Sequence, residues 1–239
     1  KTMNPSIWEL ETFYRKREII IIGSGFTGLW TAISIKDKHP EKSVLIVERH
    51  PIPTGASTRN AGFACFGSLT EIISDSEKMG WEKTLDLVKM RCKGLQKIQN
   101  YFANDEIDFE LCGGYEILND ESALEKLDEV NQHLFPITKT ENTFRIVNEK
   151  IKEFELGESE FLVENLCEGS LHSGKLLMKL VEKCHELKVE FLCGTEVESF
   201  SETENEIEIK INENLILKSE KVIFCTNAFS SKFLKSEEI

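Results

Sequence analysis

The feature that most constrains this sequence is an apolar run that ends in spaced glycines. Residues 19–32 read IIIIGSGFTGLWTA, so four isoleucines lead into the turn and a helix-forming stretch follows it. A strand that opens a helix through such a turn holds a pyrophosphate at the helix N-terminus, where unpaired N–H groups and the helix dipole favour negative charge. Gly23 permits the tight turn, Gly25 lets backbone approach the phosphates, and Gly28 lets the helix pack on the strand.

The residues after the glycine turn complete a βαβ unit. Residues 29–38 predict a helix that ends before Pro40, and residues 43–47 predict a buried parallel strand. Glu48 follows that strand, twenty residues after Gly28. An acid there accepts hydrogen bonds from adenosine ribose hydroxyls and repels a 2′-phosphate, so NAD or FAD fits better than NADP. A tight strand–helix turn with incidental glycines is the alternative interpretation.

Charge and hydropathy argue against several other kinds of partner. The 239 residues include 29 Lys and Arg against 42 Asp and Glu, which gives a formal net charge of −13. Nucleic acids and anionic membranes both attract basic surfaces, so we predict no nucleic-acid partner and no membrane insertion. The longest apolar stretch, around residues 19–22, is also too short to span a bilayer.

Cysteine and histidine usage identifies no catalytic or metal site. Seven cysteines occur at wide spacings without a Cys-x-x-Cys pair. They predict neither a disulfide framework nor a zinc site, and they favour a reducing, cytoplasmic compartment. The five histidines are scattered, and no Ser/His/Asp triad or HExxH motif occurs. His172 lies in a glycine-flanked loop, but a lone histidine is more often structural, so we name no catalytic residue.

A second glycine-spaced loop follows the βαβ unit. Residues 51–63 read PIPTGASTRNAGF. Ser57 and Thr58 offer hydroxyls for a second phosphate cradle. Arg59 offers a cation, and Gly62 permits close backbone approach. A plain surface loop with helix-capping residues explains the same composition, so composition leaves both interpretations open.

Three segments of the sequence stand out together. They are GSGFTG at residues 23–28, VER at residues 47–49 and GASTRNAG at residues 55–62. Together they resemble the FAD-dependent D-amino-acid oxidase family, which includes glycine oxidase, sarcosine oxidase and γ-glutamylputrescine oxidase-like enzymes. The third segment is the specific one, because a dehydrogenase that uses only NAD has no reason to carry it there. The short Ser6-x-Trp8 segment before the first strand resembles the γ-glutamylputrescine oxidase-like branch.

The resemblance implies FAD contacts in the glycine turn, at the end of the second strand, in the second loop and at two later strand ends. The residues implied are Gly23, Ser24, Gly25, Phe26, Thr27, Gly28, Glu48, Arg49, Ser57, Thr58, Arg59, Asn60, Ala61, Gly62, Val197, Thr226 and Asn227. The turn would hold the pyrophosphate, the strand end the adenosine, and the second loop would run towards the flavin ring. Val197 would contact the adenine region through its backbone, although simple strand core explains it equally well.

The resemblance also implies a fold and a division into domains. The fold class is α/β, with a Rossmann-type, glutathione-reductase-like FAD-binding domain that combines a βαβ unit and a β-meander. An α+β substrate domain is inserted in it. Residues 1–107 and 165–239 would form the FAD-binding domain, and residues 108–164 part of the substrate domain. Family members continue beyond the last strand seen here, so we expect a fold that is incomplete at the C-terminus.

Periodicity predicts several elements outside the motifs. Apolar residues at steps of three and four predict one long amphipathic helix over residues 81–102. A Ser-x-x-Glu capping box predicts a further helix over residues 122–133. Residues 206–211 alternate at period two and pair with residues 215–217 in a meander. Residues 221–227 predict a separate, last buried strand.

The chemistry implied by the resemblance is oxidation of a C–N bond in an amine or amino acid. The flavin accepts a hydride from the carbon beside the nitrogen, and water hydrolyses the resulting imine. The implied partner is therefore a small-molecule amine or amino-acid substrate. A non-catalytic or truncated dinucleotide-binding module and an NAD-dependent dehydrogenase are the alternatives. Neither the particular substrate nor the oligomeric state follows from these patterns.

Overall fold

The computed structural model describes residues 4–233, which form a mixed α/β structure of the expected class. The α-helices are α1 (Ile7–Glu11), α2 (Phe26–Lys38), α3 (Leu69–Met79), α4 (Trp81–Tyr101), α5 (Leu127–Thr138), α6 (Glu149–Glu153) and α7 (Ser173–Glu186). The strands are β1 (Arg17–Ile22), β2 (Val44–Val47), β3 (Phe63–Ala64), β4 (Gly114–Leu118), β5 (Phe144–Ile146), β6 (Phe161–Asn165), β7 (Gly169–Ser170), β8 (Glu190–Leu192), β9 (Ser199–Glu202), β10 (Ile207–Asn212) and β11 (Leu215–Phe224).

The chain divides into two compact units. The first contains the described residues up to Asn60 and from Leu176 onward, and the second is Ala61–Lys175. These boundaries differ from the expected domain limits, because residues 61–107 and 165–175 pack within the second unit. The assignment of residues 108–164 to a substrate domain stays a prediction.

A six-stranded sheet forms the centre of the first unit, in the order β8-β2-β1-β11-β10-β9. The first four strands in this order, β8, β2, β1 and β11, are parallel to one another. Strands β10 and β9 extend the sheet with antiparallel pairing. Ile20 and Ile21 of β1 are fully buried, as a central parallel strand with both faces covered requires. Helix α2 buries Leu29, Ala32 and Ile33 completely.

Strand β11 joins two segments that the sequence predicts as separate. Its first half pairs antiparallel with β10, which confirms the meander, and its second half pairs parallel with β1. Ser219 takes part in both pairings and is fully buried. The expected break after residue 217 is wrong because the polar residues 218–220 interrupt the apolar pattern without interrupting the backbone ladder.

The second unit packs three helices on one face of an antiparallel sheet of order β4-β6-β5. Helix α4 matches the predicted long amphipathic helix, whereas α3 has no counterpart in the prediction. Both helices bury apolar side chains against α5 and the sheet. The buried residues are Phe66, Leu69, Ile72, Val88, Leu118, Val130, Leu134, Phe144 and Val163. This shared core is why residues 61–107 belong to the second unit.

The helix predicted to start at residue 122 begins later. The carboxylate of Asp120 accepts hydrogen bonds from the backbone N–H of Ser122, at 2.9 Å, and from its hydroxyl. Ser122 therefore lies in a turn closed by Asp120, and its hydroxyl caps neither the 3-10 turn nor the helix that follows. A 3-10 turn at Leu124–Lys126 follows, and α5 starts at Leu127 and ends at Thr138.

A capping box formed by Ser6 and Glu9 starts α1. The backbone N–H of Glu9 donates to the Ser6 hydroxyl at 3.3 Å, and the N–H of Ser6 donates to the Glu9 carboxylate at 2.7 Å. Arg17, which is 1% exposed, ties this segment to the sheet. It donates to the Thr12 carbonyl at 2.9 Å and through Nε to Glu190 at 3.0 Å.

Candidate dinucleotide-binding site

A cavity of about 810 Å³ lies in the first unit, where the carboxyl ends of β1, β2 and β11 meet. Its volume falls within the usual range for ligand pockets. The predicted residues that line it are Gly23, Gly25, Phe26, Thr27, Glu48, Arg49, Ser57, Val197, Thr226 and Asn227. The fold therefore gathers parts of all four predicted contact regions around one space.

The glycine turn packs closely against the residue that follows β11 and against the first turn of α2. A Cβ on Gly23, whose φ is +105°, would lie 2.5 Å from the carbonyl oxygen of Cys225. A Cβ on Gly28 would lie 2.0 Å from the carbonyl oxygen of Gly23. Both clashes involve backbone atoms, so a side chain at either position would force the turn apart.

Helix α2 points its N-terminus at the cavity. It starts after Gly25, which has no side chain to cap the first turn. The N–H of Phe26 donates to the hydroxyl of Ser57 at 2.9 Å. Ser57 belongs to the second glycine-spaced loop, so this contact joins that loop to the glycine turn. The helix dipole makes this end of the cavity favourable for an anion.

Glu48 is held in one orientation at the wall of the cavity. Its Oε2 accepts hydrogen bonds from the backbone N–H of Ser24 at 3.0 Å and from the Ser24 hydroxyl at 2.7 Å. Its Oε1 accepts from the N–H of His50 at 3.0 Å. Because a carboxylate has roughly four acceptor sites, capacity remains for a ribose hydroxyl. Ser24 itself is fully buried and contributes to the site through Glu48.

A group of residues beside Arg49 was not predicted from the sequence. The guanidinium carbon of Arg49 lies 4.2 Å from the ring centroid of Phe229. Lys232 forms an ion pair of 2.7 Å with Glu196, and this hydrogen bond lowers the pKa of the Glu196 carboxyl. Phe229, Glu196 and Lys232 all line the cavity. The sequence offers one local signal for Phe229 and Lys232, which is that an aromatic residue and a cation lie shortly after the end of β11.

The two later strand ends reach the cavity as the resemblance implies. Val197 is 3% exposed and belongs to the apolar core of the first unit, and it also lines the cavity. Its position therefore agrees with both interpretations, packing in the core and a backbone contact with a ligand in the cavity. Thr226 and Asn227 follow β11, and Asn227 adopts the left-handed conformation at φ +51°. The hydroxyl oxygens of Thr226 and Ser230 are 3.0 Å apart.

Beyond Ser57, the second loop does not line the cavity, although Pro53, Thr54, Gly55 and Ala56 before it do. Its first part forms a 3-10 turn at Ala56–Thr58, and the Asn60 side-chain amide donates to the carbonyls of Ala56 and Ser57, each at 3.0 Å. Thr58 and Arg59 are exposed. A cofactor role for this part of the loop stays a prediction.

Ala61 and Gly62 belong to the second unit. Gly62 has a φ of +77°, and a Cβ there would lie 2.4 Å from the carbonyl oxygen of Leu171. The glycine is therefore needed for backbone packing against the segment that precedes α7, and its expected place beside the cofactor stays a prediction. In that segment, Nδ1 of His172 accepts the N–H of Lys175 at 3.2 Å, which gives the histidine a structural role at the start of α7.

Residues 4–233 contain neither a membrane-spanning helix nor a metal-binding cluster. No helix in this range combines the length and the apolar character that a membrane span needs. No group of three or more His, Cys, Asp or Glu side chains among these residues could hold a metal ion. All seven cysteines carry free thiols, and burial raises the pKa of Cys184 to about 12. Cys184 is therefore a protonated, apolar core residue.

Comparison with known families and curated proteins places the chain beside flavoenzymes. Residues 18–238 match the family model described as "FAD dependent oxidoreductase" (DAO). The chain is 26% identical over 223 residues to the protein named "Probable oxidoreductase OrdL" of Haemophilus influenzae. That alignment covers 92% of this chain and 51% of the relative. The chain thus spans about half the length of the curated relatives it matches.

Solved structures share the fold at low sequence identity. L-proline dehydrogenase from P. horikoshii superposes with a TM-score of 0.65 at 20% identity, over 92% of this chain and 55% of that one. L-amino acid deaminase from Proteus vulgaris superposes with a TM-score of 0.68 at 17% identity, over 94% of this chain and 56% of that one. These similarities establish the fold and carry no assignment of substrate.

Proposed function

Since the chain belongs to the family of FAD-dependent oxidoreductases, we propose that it binds FAD in the cavity of the first unit and oxidises a C–N bond of an amine or amino acid. The observation that carries the FAD assignment is the carboxylate of Glu48, which Ser24 and His50 orient in the wall of a cavity that also receives a helix N-terminus. An acid and an anion-binding turn at this spacing match an adenosine ribose and a pyrophosphate.

The residues around the cavity fit the two halves of the cofactor. The N-terminal turn of α2 and the Ser57 hydroxyl would hold the pyrophosphate. Glu48 would accept hydrogen bonds from the ribose hydroxyls, and its negative charge would disfavour a 2′-phosphate in the same place. Arg49 and Phe229, stacked at the wall of the cavity, would cover the adenosine side.

The reaction itself is proposed from the family and from the named relatives. The chemistry that FAD supplies when bound is acceptance of a hydride from the carbon beside a nitrogen, which leaves an imine for water to hydrolyse. The similar proteins named as an L-proline dehydrogenase and an L-amino acid deaminase both act on amino acids, which supports an amino acid as the substrate class here. This chemistry asks the protein mainly to position the substrate and to exclude water.

Binding of FAD is tested by titrating the purified chain with FAD and, separately, with NAD. We expect saturable FAD binding with a flavin absorption band, and at least about a tenfold loss of affinity in Glu48→Ala, because the ribose loses a charged acceptor. Glu213→Ala is the matched control, since Glu213 is exposed on the turn between β10 and β11. Saturable NAD binding without FAD binding would overturn the assignment.

The reaction is tested by screening amines and amino acids with the FAD-loaded protein. Formation of peroxide reports an oxidase, and reduction of an artificial electron acceptor without peroxide reports a dehydrogenase. Bleaching of the flavin band by an amino acid or amine under anaerobic conditions is the expected result in both cases. A flavin that binds but stays oxidised with every compound would favour a non-catalytic module.

A further inference from the structure

The second unit carries a cluster of charged and aromatic side chains on the sheet face opposite its apolar core. The register places Tyr115 of β4 and Arg145 of β5 on either side of Glu164 of β6. The next residue back along β6, Val163, points the other way into the core. Lys150 of α6 completes the cluster from outside the sheet.

Glu164 is the centre of this cluster. The residue is 4% exposed and accepts hydrogen bonds from the Tyr115 hydroxyl at 2.7 Å, from Lys150 Nζ at 2.7 Å and from Arg145 Nε. Burial alone would raise the pKa of the Glu164 carboxyl, but these hydrogen bonds lower it to about 2. The cluster therefore contains two cations and one anion at neutral pH, which leaves one positive charge in excess.

The donors of the two cations are only partly used. Arg145 contacts Glu164 through Nε, and no hydrogen bond within residues 4–233 uses its two terminal NH₂ groups. Its side chain is 48% exposed. Lys150 gives one proton to Glu164 and one to the Tyr115 hydroxyl at 2.8 Å, so one of its three N–H donors has no protein partner in the same range. An arginine fork of this kind matches the two oxygens of a carboxylate.

Apolar surface lies beside these donors. The rings of Tyr115 and Phe154 meet edge to face with centroids 5.0 Å apart, and Lys150 Nζ lies 4.9 Å from the Tyr115 ring centroid. Both rings are well exposed, and so is Ile117, which lies on the same face two residues along β4. A ligand with an anionic head and an apolar body satisfies both features, whereas a bare phosphate satisfies only the first.

We propose that this cluster binds the carboxylate of a small organic acid. Arg145 would take the two carboxylate oxygens, and Lys150 would add its remaining donor. The rings of Tyr115 and Phe154 would contact the apolar part of the ligand. The identity of the ligand as an amino-acid substrate rests on the proposed function, whereas the carboxylate subsite itself rests on the geometry of the second unit alone.

The test is an NMR titration of the ¹⁵N-labelled full chain with benzoate. We expect saturable shifts of the backbone signals of residues 115, 145, 150 and 164. Arg145→Gln is expected to weaken binding by about tenfold or more, and Lys150→Gln by a smaller factor, because each removes a charge-assisted contact. Lys152→Gln is the matched control: it removes the same charge from an exposed position of α6 and is expected to leave the affinity unchanged.

Three results would overturn the proposal. The first is the absence of benzoate shifts at this cluster. The second is an equal loss of affinity in Arg145→Gln and in Lys152→Gln. The third is equal binding of benzyl alcohol or inorganic phosphate, because neither combines a carboxylate with an apolar body.

The flavin titration of the same protein separates this proposal from the proposed function. Binding of FAD without binding of benzoate would reject the carboxylate subsite alone. Binding of benzoate without binding of FAD would reject the proposed cofactor and leave the subsite in place.

Discussion

The hydroxyl oxygen of Ser24 lies 2.7 Å from Oε2 of Glu48, across a separation of 24 residues. The backbone N–H of Ser24 donates to the same oxygen at 3.0 Å. Ser24 is the residue between the first two glycines of the turn, so the turn that would hold the pyrophosphate also orients the acid that would hold the ribose. Both proposed contacts with the cofactor thus depend on one short stretch of backbone.

Replacing Ser24 by alanine tests this dependence. Ser24→Ala removes the hydroxyl donor and leaves the backbone N–H in place, so Glu48 loses one of its hydrogen bonds. We expect FAD affinity to fall about tenfold, which corresponds to roughly 1.4 kcal/mol. Quenching of flavin fluorescence measures it. Ser201→Ala, at an exposed position of β9, is the control, and an unchanged affinity in Ser24→Ala would show that the hydroxyl does not orient the acid.

Two glycine-to-alanine changes should have opposite effects on stability. A Cβ on Gly28 would lie 2.0 Å from the carbonyl oxygen of Gly23, whereas a Cβ on Gly94 in α4 meets nothing within 4 Å. We expect Gly28→Ala to lower the free energy of unfolding by about 3 kcal/mol or more. Gly94→Ala should raise it by about 0.5–1 kcal/mol, because alanine is the better helix former. Urea unfolding measures both, and a Gly28→Ala protein as stable as wild type contradicts the packing argument.

The low pKa of Glu164 makes part of the stability sensitive to acid. Its hydrogen bonds lower the pKa from 4.5 to about 2 in the folded chain, so the ionised group stabilises the fold above pH 4.5. This contribution is lost as the pH falls from about 4.5 to about 2. Glu164→Gln does not titrate, so wild type should lose roughly 1–2 kcal/mol more than the variant between pH 6 and pH 2.5. Glu160→Gln, at an exposed position, should behave as wild type in the same urea titrations.

Glu168 should show the opposite dependence on pH. Burial raises the pKa of its carboxyl, although Oε1 accepts the backbone N–H groups of Phe66 at 2.7 Å and Gly67 at 3.1 Å. The protonated form is therefore favoured in the folded chain, and stability falls as the pH rises through the folded pKa. Glu168→Gln keeps an acceptor oxygen and removes the charge. Its free energy of unfolding relative to wild type should therefore increase from pH 5 to pH 8.

The matched control for Glu168 is Glu158→Gln, which removes a carboxylate from an exposed position. Its stability relative to wild type should not change between the two pH values. A Glu168→Gln protein whose relative stability falls with rising pH would mean that the ionised carboxylate stabilises the Phe66–Gly67 turn despite its burial.

The sequence correctly predicted the helices and strands that are determined by residues close to one another in the chain. The isoleucine run, the spaced glycines and the acid after the second strand lie within 30 residues and predicted β1, α2 and β2. The amphipathic period predicted α4 for the same reason. The apolar pattern did not predict that β11 is one continuous strand. Ser219 is buried and pairs with both β1 and β10, because backbone pairing does not require an apolar side chain. The capping-box pattern also failed at Ser122, which lies in a turn closed by Asp120 and not at a helix start.

The sequence alone determined the βαβ unit and its glycine turn, because the residues that form them lie close together in the chain. It indicated the family through the resemblance of three short segments. Only the tertiary structure decided which distant side chains meet. The contact of Ser24 with Glu48, the stack of Arg49 on Phe229 and the cluster around Glu164 join residues from different elements. Strand order and register set those distances, and they depend on how the whole chain packs its apolar faces.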